Sequence, residues 1–205
     1  MPVFSKETLQ RLATLHAISN WGDSGAFGEM RVQKTLFFAD KNSGERHILT
    51  FKKWDYGQYS EDVAKCLNAI RAAGRLESEF GGQAIRIYAT IGPHAKRLIA
   101  KALKCNFSSW FAEFGKAFSE WAYLPNEEIL DRAHRDASFT ENERGDVIFA
   151  SSISDTIELL GITDDEAEQL ADLVDPVLNL RIHRGIERAL MLDDQIPDWR
   201  KILDS

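Results

Sequence analysis

The run Met30-Arg31-Val32-Gln33-Lys34-Thr35-Leu36-Phe37-Phe38-Ala39-Asp40 constrains this chain more than any other stretch. Its apolar residues fall on nearly all sides of a helix, the pattern of a central element packed all round by others. A lysine inside such a helix needs a reason, because a buried ammonium must be compensated. Either the Lys34 stem lies along apolar surface while its head reaches water, or Lys34 pairs with Asp40 or Asp55 in a polar cluster near Tyr56. Shortly afterwards Trp54-Asp55-Tyr56-Gly57-Gln58-Tyr59-Ser60 forms an aromatic turn that leads into a second helix, Glu61 to Ala73.

The elements before and between these are legible from caps and periodicity. Ser5 caps a helix running to about Asn20, with Glu7 at its positive end and Leu9, Leu12, Leu15 and Ile18 on one side. Trp21 to Gly25 breaks it with turn residues. Lys41 to Glu45 reads as a loop, and His47 to Tyr56, rich in β-formers, as extended chain. Ser60 is a good N-cap for the next helix, which buries Val63, Cys66, Leu67 and Ile70 and closes at Gly74.

Leu76 to Phe80, the pair Gly81-Gly82 and Ala84 to Thr90 predict a β-hairpin. Gly92-Pro93 opens a further helix to about Lys104. Residues 60–104 therefore give helix, hairpin, helix, the order of a recognition helix and wing in a winged-helix domain. Its candidate nucleic-acid contacts are Lys65, Arg71 and Arg75 on the helix and Arg86 on the wing. Glu61 and Asp62 stand at the end that would enter the groove and would face phosphate repulsion, which favours a scaffold for protein contacts instead.

Beyond residue 105 the chain is helical and acidic. Ser108 to Tyr123 carries Trp110, Phe111, Phe114, Phe118 and Trp121 at core spacing. A short helix runs from Pro125 to about Arg135. Thr140-Glu141-Asn142-Glu143 matches a capping box and predicts a helix within 144–160, with Val147-Ile148-Phe149 as an alternative strand. Thr163-Asp164-Asp165-Glu166 opens another helix, and Asp175-Pro176 separates it from a last one ending near Asp193. There Arg181, Arg184 and Arg188 line one face, either as an anion or partner site or as internal partners for the neighbouring carboxylates.

The apolar runs are too short to cross a bilayer, and Met1-Pro2-Val3-Phe4-Ser5-Lys6 lacks the layout of a secretory signal. With two cysteines, Cys66 and Cys105, each on an apolar helix face, buried free thiols and a cytoplasmic location are expected. The net charge of −7 is unevenly spread. Residues 1–105 hold 16 Lys and Arg against 10 Asp and Glu, a net +6, and residues 106–205 hold 9 against 22, a net −13. An acidic half of this kind suits a basic protein partner. His16, His47, His94, His134 and His183 are scattered singly, and the chain shows no metal-ligand spacing, nucleophile elbow or phosphate loop. No enzymatic activity, metal or other cofactor is expected from these motifs.

At Gln33-Lys34-Thr35-Leu36-Phe37-Phe38-Ala39-Asp40, and again at Tyr56-Gly57-Gln58-Tyr59-Ser60 before an amphipathic helix, the chain resembles the Panacea domain family. This family comprises SocA-like antitoxins and the related YwgA-like, phage-associated proteins. Leu124-Pro125-Asn126-Glu127-Glu128-Ile129-Leu130 is similar to a later family segment, and His134 stands near its recurrent histidine. Gln58 replaces a usual proline, and Phe37-Phe38 a usual tyrosine-containing pair. The resemblance covers about residues 30–140 and implies a structural cluster of Lys34, Phe38, Asp40, Tyr56, Gly57, Tyr59 and His134. It also implies a non-enzymatic antitoxin of a toxin–antitoxin system that neutralises a co-encoded toxin by direct binding, some members delivering the toxin to a protease.

The expected fold is therefore mainly α (α+β), a compact helical domain with a small β-hairpin. A Panacea-like domain would span 1–140, and an acidic helical extension, 141–205, would pack on it. The alternative function is a winged-helix DNA-binding transcriptional regulator.

Overall fold

The computed structural model describes residues 2–44, 46–81 and 84–175. Strand β1 (Val3–Ser5) runs into helix α1 (Lys6–Ser19), where the Ser5 hydroxyl accepts the Thr8 N–H at 3.2 Å. A 3-10 turn and the short strand β2 (Ala26–Phe27) lead to α2 (Glu29–Asn42), which takes in Lys41 and Asn42 from the loop the sequence predicts. The hairpin of β3 (Phe51–Trp54) and β4 (Gly57–Tyr59) follows. Helix α3 (Glu61–Ala72) then starts at Ser60, whose hydroxyl accepts the Val63 N–H at 3.2 Å.

Gly74, at φ +69°, closes α3. Its N–H reaches the Arg71 carbonyl at 2.9 Å and the Arg75 N–H reaches that of Ile70 at 3.0 Å, the two bonds of a Schellman closure. Strands β5 (Leu76–Gly81) and β6 (Ala84–Ala89) pair over their full length, and α4 (Pro93–Asn106) completes the predicted helix–hairpin–helix. Strand β2 also pairs with β6, giving a sheet of order β2-β6-β5. The order α1, β2, α2, α3, β5, β6 is winged-helix-like, with the β3–β4 hairpin inserted before its third helix.

Helix α2 is the middle layer. On one side it meets α5 (Ser108–Trp121), with the Phe38 ring stacked on Trp121 at 3.8 Å. On the other it meets a sheet of order β4-β3-β7, where β7 is Val147–Phe149. There the Phe37 ring lies 5.2 Å from Phe51 and 5.5 Å from Phe149. Helices α6 (Asn126–Arg135) and α7 (Ala137–Thr140) both pack against β4. Strand β8 (Thr156–Glu158) pairs with β1, so the segment after residue 141 enters two sheets, one with β1 and one with β3. Helix α8 (Asp164–Val174) carries the capping box of Thr163 and Glu166 and packs against α1 and α4.

The fold is mainly α with short antiparallel strands, as expected, and eight α-helices occur among the described residues. Within them no helix is long and apolar enough to cross a membrane. Two local expectations fail. Thr140 ends α7 instead of capping a helix over 144–160, because Val147 to Phe149 pairs with β3. Cys66 is buried, and burial pushes its thiol up to about 12, whereas Cys105 is exposed. The last helix and Arg181, Arg184 and Arg188 lie outside the described residues.

Phe37 joins α2 to β3 and β7 and has no exposed surface. Phe37→Ala is expected to lower the unfolding free energy by about 3–5 kcal/mol, read from urea denaturation.

Candidate functional site

Three polar side chains of α2 hold the irregular chain between α2 and α3, each by hydrogen bonds to backbone. Gln33 clamps Ser60 twice: its Nε2 donates to the Ser60 carbonyl at 3.1 Å and its Oε1 accepts the Ser60 N–H at 3.0 Å. Asp40 accepts the N–H groups of Ile48 at 2.8 Å and Leu49 at 2.9 Å. Lys34 donates from Nζ to the Gln58 carbonyl at 2.7 Å. Buried backbone groups left unpaired by helix or ladder must find such partners, and the Gln58 carbonyl on the edge strand β4 is one of them.

Lys34 is therefore neither surface-reaching nor paired with a carboxylate. It is 3% exposed. Asp40 binds its own loop instead, and Asp55 is engaged by Arg144 at 3.1 Å. Burial lowers the Lys34 pKa to about 7 and, for the same reason, raises that of Asp40 to about 7 against the pull of its two N–H donors. Neither shift is caused by the charge of the other group.

Gly57 makes the lysine contact possible. Its φ of +100° is open to glycine and strained for other residues, and a Cβ built there would lie 2.6 Å from Lys34 Nζ. Gln58, at the usual proline position of the resembled motif, supplies the carbonyl for Lys34. Its side chain donates to the Ala133 carbonyl at 3.0 Å and to Ser138 Oγ at 3.2 Å, tying β4 to α6 and α7.

Lys34 lies in the lining of a cleft of about 270 Å³ formed with Glu29, Met30, Gln33, Trp54, Tyr56, Gly57, Gln58 and Tyr59. Almost all of its wall is carbon. The mouth is aromatic: Tyr56 is 73% exposed and Trp54 is 44% exposed, with Tyr59 6.5 Å from Trp54. Arg144 lies over the Trp54 ring at 4.8 Å. Burial first, and then the charges of Glu29 and Glu61, raise the pKa of the Tyr59 hydroxyl.

Of the residues expected to form one cluster, Lys34, Tyr56, Gly57 and Tyr59 meet at this cleft. Phe38 packs on Trp121, Asp40 holds the loop before β3, and His134 stacks on Phe139 at 4.5 Å. Trp54, Met30 and Glu29 join the cleft without having been singled out. The signal available in the sequence was the spacing of Met30 and Lys34, one helical turn apart, opposite the run of aromatics at 54–59.

On the helix–wing face, Lys65 and Arg71 are exposed, while Arg75 and Arg86 are half-buried. Arg86 stands opposite Glu79 in the hairpin register. Among the described residues, no group of three His, Cys, Asp or Glu side chains is arranged to hold a metal ion.

Two outcomes are expected. Gly57→Ala lowers stability by about 1–3 kcal/mol in thermal or urea unfolding, since the new methyl must displace Lys34. For Lys34, the folded pKa lies below the unfolded value of 10.5, so between pH 7 and 10.5 the unfolded chain binds more protons and stability rises with pH. Lys34→Met removes that rise, and the difference in unfolding free energy between variant and native protein shifts by a few kcal/mol across the window. A scan against models of known protein families finds no match for this chain, and a search of curated proteins finds no relative.

Proposed function

We propose that this chain is a non-enzymatic, antitoxin-like protein that binds and neutralises a protein partner, most directly a co-encoded toxin, in the cytoplasm. The observation that carries the reading is the cleft: six residues of the Panacea-like motif, Gln33, Lys34, Tyr56, Gly57, Gln58 and Tyr59, line an apolar groove whose mouth exposes Trp54 and Tyr56. Exposed aromatics around an apolar recess are the composition of protein-binding hot spots. The acidic start of α8, with Asp164, Asp165 and Glu168 exposed, suits the flank of a basic partner.

The test is co-expression with the product of the neighbouring reading frame. A toxic product rescued by this chain, with a complex that survives gel filtration, supports the reading. A harmless product that forms no complex removes it. Trp54→Ser with Tyr56→Ser is expected to weaken the complex at least tenfold while leaving the melting temperature within a few degrees, because both side chains are exposed.

The winged-helix-like order favours a second reading, a DNA-binding regulator. It asks much of few charges: Lys65 and Arg71 are the exposed cations of the proposed face, and Glu77 and Glu79 are exposed on the wing. Two phosphate contacts give a salt slope of only about −2, against the six to ten contacts of strong binders. Retained promoter binding after Arg71→Glu with Arg75→Glu eliminates that face.

A further inference from the structure

Resting on the protein-binding reading above, we infer that the cleft between α2 and the β3–β4 hairpin receives the C-terminal residue of the partner polypeptide. The terminal apolar side chain lies among Met30, Trp54, Tyr56 and Tyr59, and the terminal carboxylate meets the Lys34 ammonium.

The ammonium supplies the first argument. It has three N–H donors, and the protein offers one hydrogen-bond acceptor among the described residues, the Gln58 carbonyl at 2.7 Å. Lys34 is buried yet contributes to the cleft wall, so its remaining donors can be satisfied by a group that enters. Burial brings its pKa to about 7, and an anion against it offsets that desolvation.

Size supplies the second. At about 270 Å³ the cleft falls below the roughly 300–1,000 Å³ of sites for drug-sized ligands. It holds one or two side chains. Within that volume a single residue is the most compact way to bring apolar surface and an anion in together. A C-terminal residue carries an apolar side chain and a carboxylate on the same Cα. An internal aspartate or glutamate brings the charge without the apolar bulk.

Charge supplies the third. The half of the chain that builds the cleft carries a net +6, and Arg144 lies over Trp54 at the mouth. Glu29 is the acid in the lining, and its Oε1 accepts from Gln33 Nε2 at 3.2 Å. Asp55 pairs with Arg144 at 3.1 Å, so the cation a carboxylate meets is Lys34 within the cleft.

The experiment measures fluorescence polarisation of N-terminally fluorescein-labelled hexapeptides, Gly-Ser-Gly-Ser-Gly followed by Phe, Leu, Ile or Trp, against the full chain. At least one free-acid peptide is expected to bind saturably, and its C-terminal amide to bind at least tenfold more weakly. Lys34→Met abolishes the acid–amide difference, and Tyr56→Ser, on an exposed rim position, weakens both forms without affecting folding by circular dichroism. Equal binding of acid and amide overturns the inference, as does the failure of all four acids. Displacement by an equimolar amount of 3-phenylpropionate also overturns it, because a free carboxylic acid would then be the occupant. If the peptides fail while the toxin complex forms and is lost in the Trp54→Ser, Tyr56→Ser variant, the C-terminal assignment falls and the protein-binding reading stands. If the toxin complex is absent as well, both fall.

Discussion

The structure depends on side chains of α2 satisfying backbone that no helix or sheet satisfies. Between α2 and α3 the chain leaves regular structure, turns through a short hairpin and returns to start a new helix. Asp40 fixes the beginning of that excursion, Lys34 its middle and Gln33 its end. Each of these residues is buried, so each bond forms where water does not compete and where its loss would leave a polar group unpaired. The aromatic pair Phe37 and Phe38 holds α2 itself in place, one ring toward the sheet and the other toward α5.

This arrangement has an electrostatic cost that serves the site. A buried lysine and a buried aspartate in the same helix form no pair, and desolvation drives their pKa values toward each other, both to about 7. For Asp40 the two N–H donors give a structural return. For Lys34 the return within the protein is one carbonyl, and the rest of its hydrogen-bonding capacity borders a cleft walled by carbon. A buried ammonium with one acceptor among the described residues is costly, and that cost is what singles out this cleft among the surfaces of the fold.

Local signals with a reach of three or four residues were legible. Ser5, Ser60 and Thr163 cap helices because each hydroxyl needs only a backbone N–H two or three residues on. The same pattern at Thr140 misleads. The chain there is drawn into the β4-β3-β7 sheet, with the Lys53 N–H on the Asp146 carbonyl at 2.9 Å, and tertiary pairing outweighs a local cap. Cys105 misleads in the same way, because its position on a helix face does not tell which part of that face is covered.

The sequence by itself determined most of the helices, the caps at Ser5, Ser60 and Thr163, the β5–β6 hairpin and the special position of Lys34 in an apolar helix. It carried the Tyr-Gly turn but not the partner of that lysine, for which two carboxylates stood as candidates. Only the tertiary structure decided that Gly57, lacking a side chain, lets Lys34 reach the Gln58 carbonyl. Only it decided that Trp54 and Tyr56 open outward over the same spot. The physical reason is reach: a cap is set by neighbours along the chain, whereas this cleft is set by how an antiparallel hairpin lands on a helix some twenty residues before it.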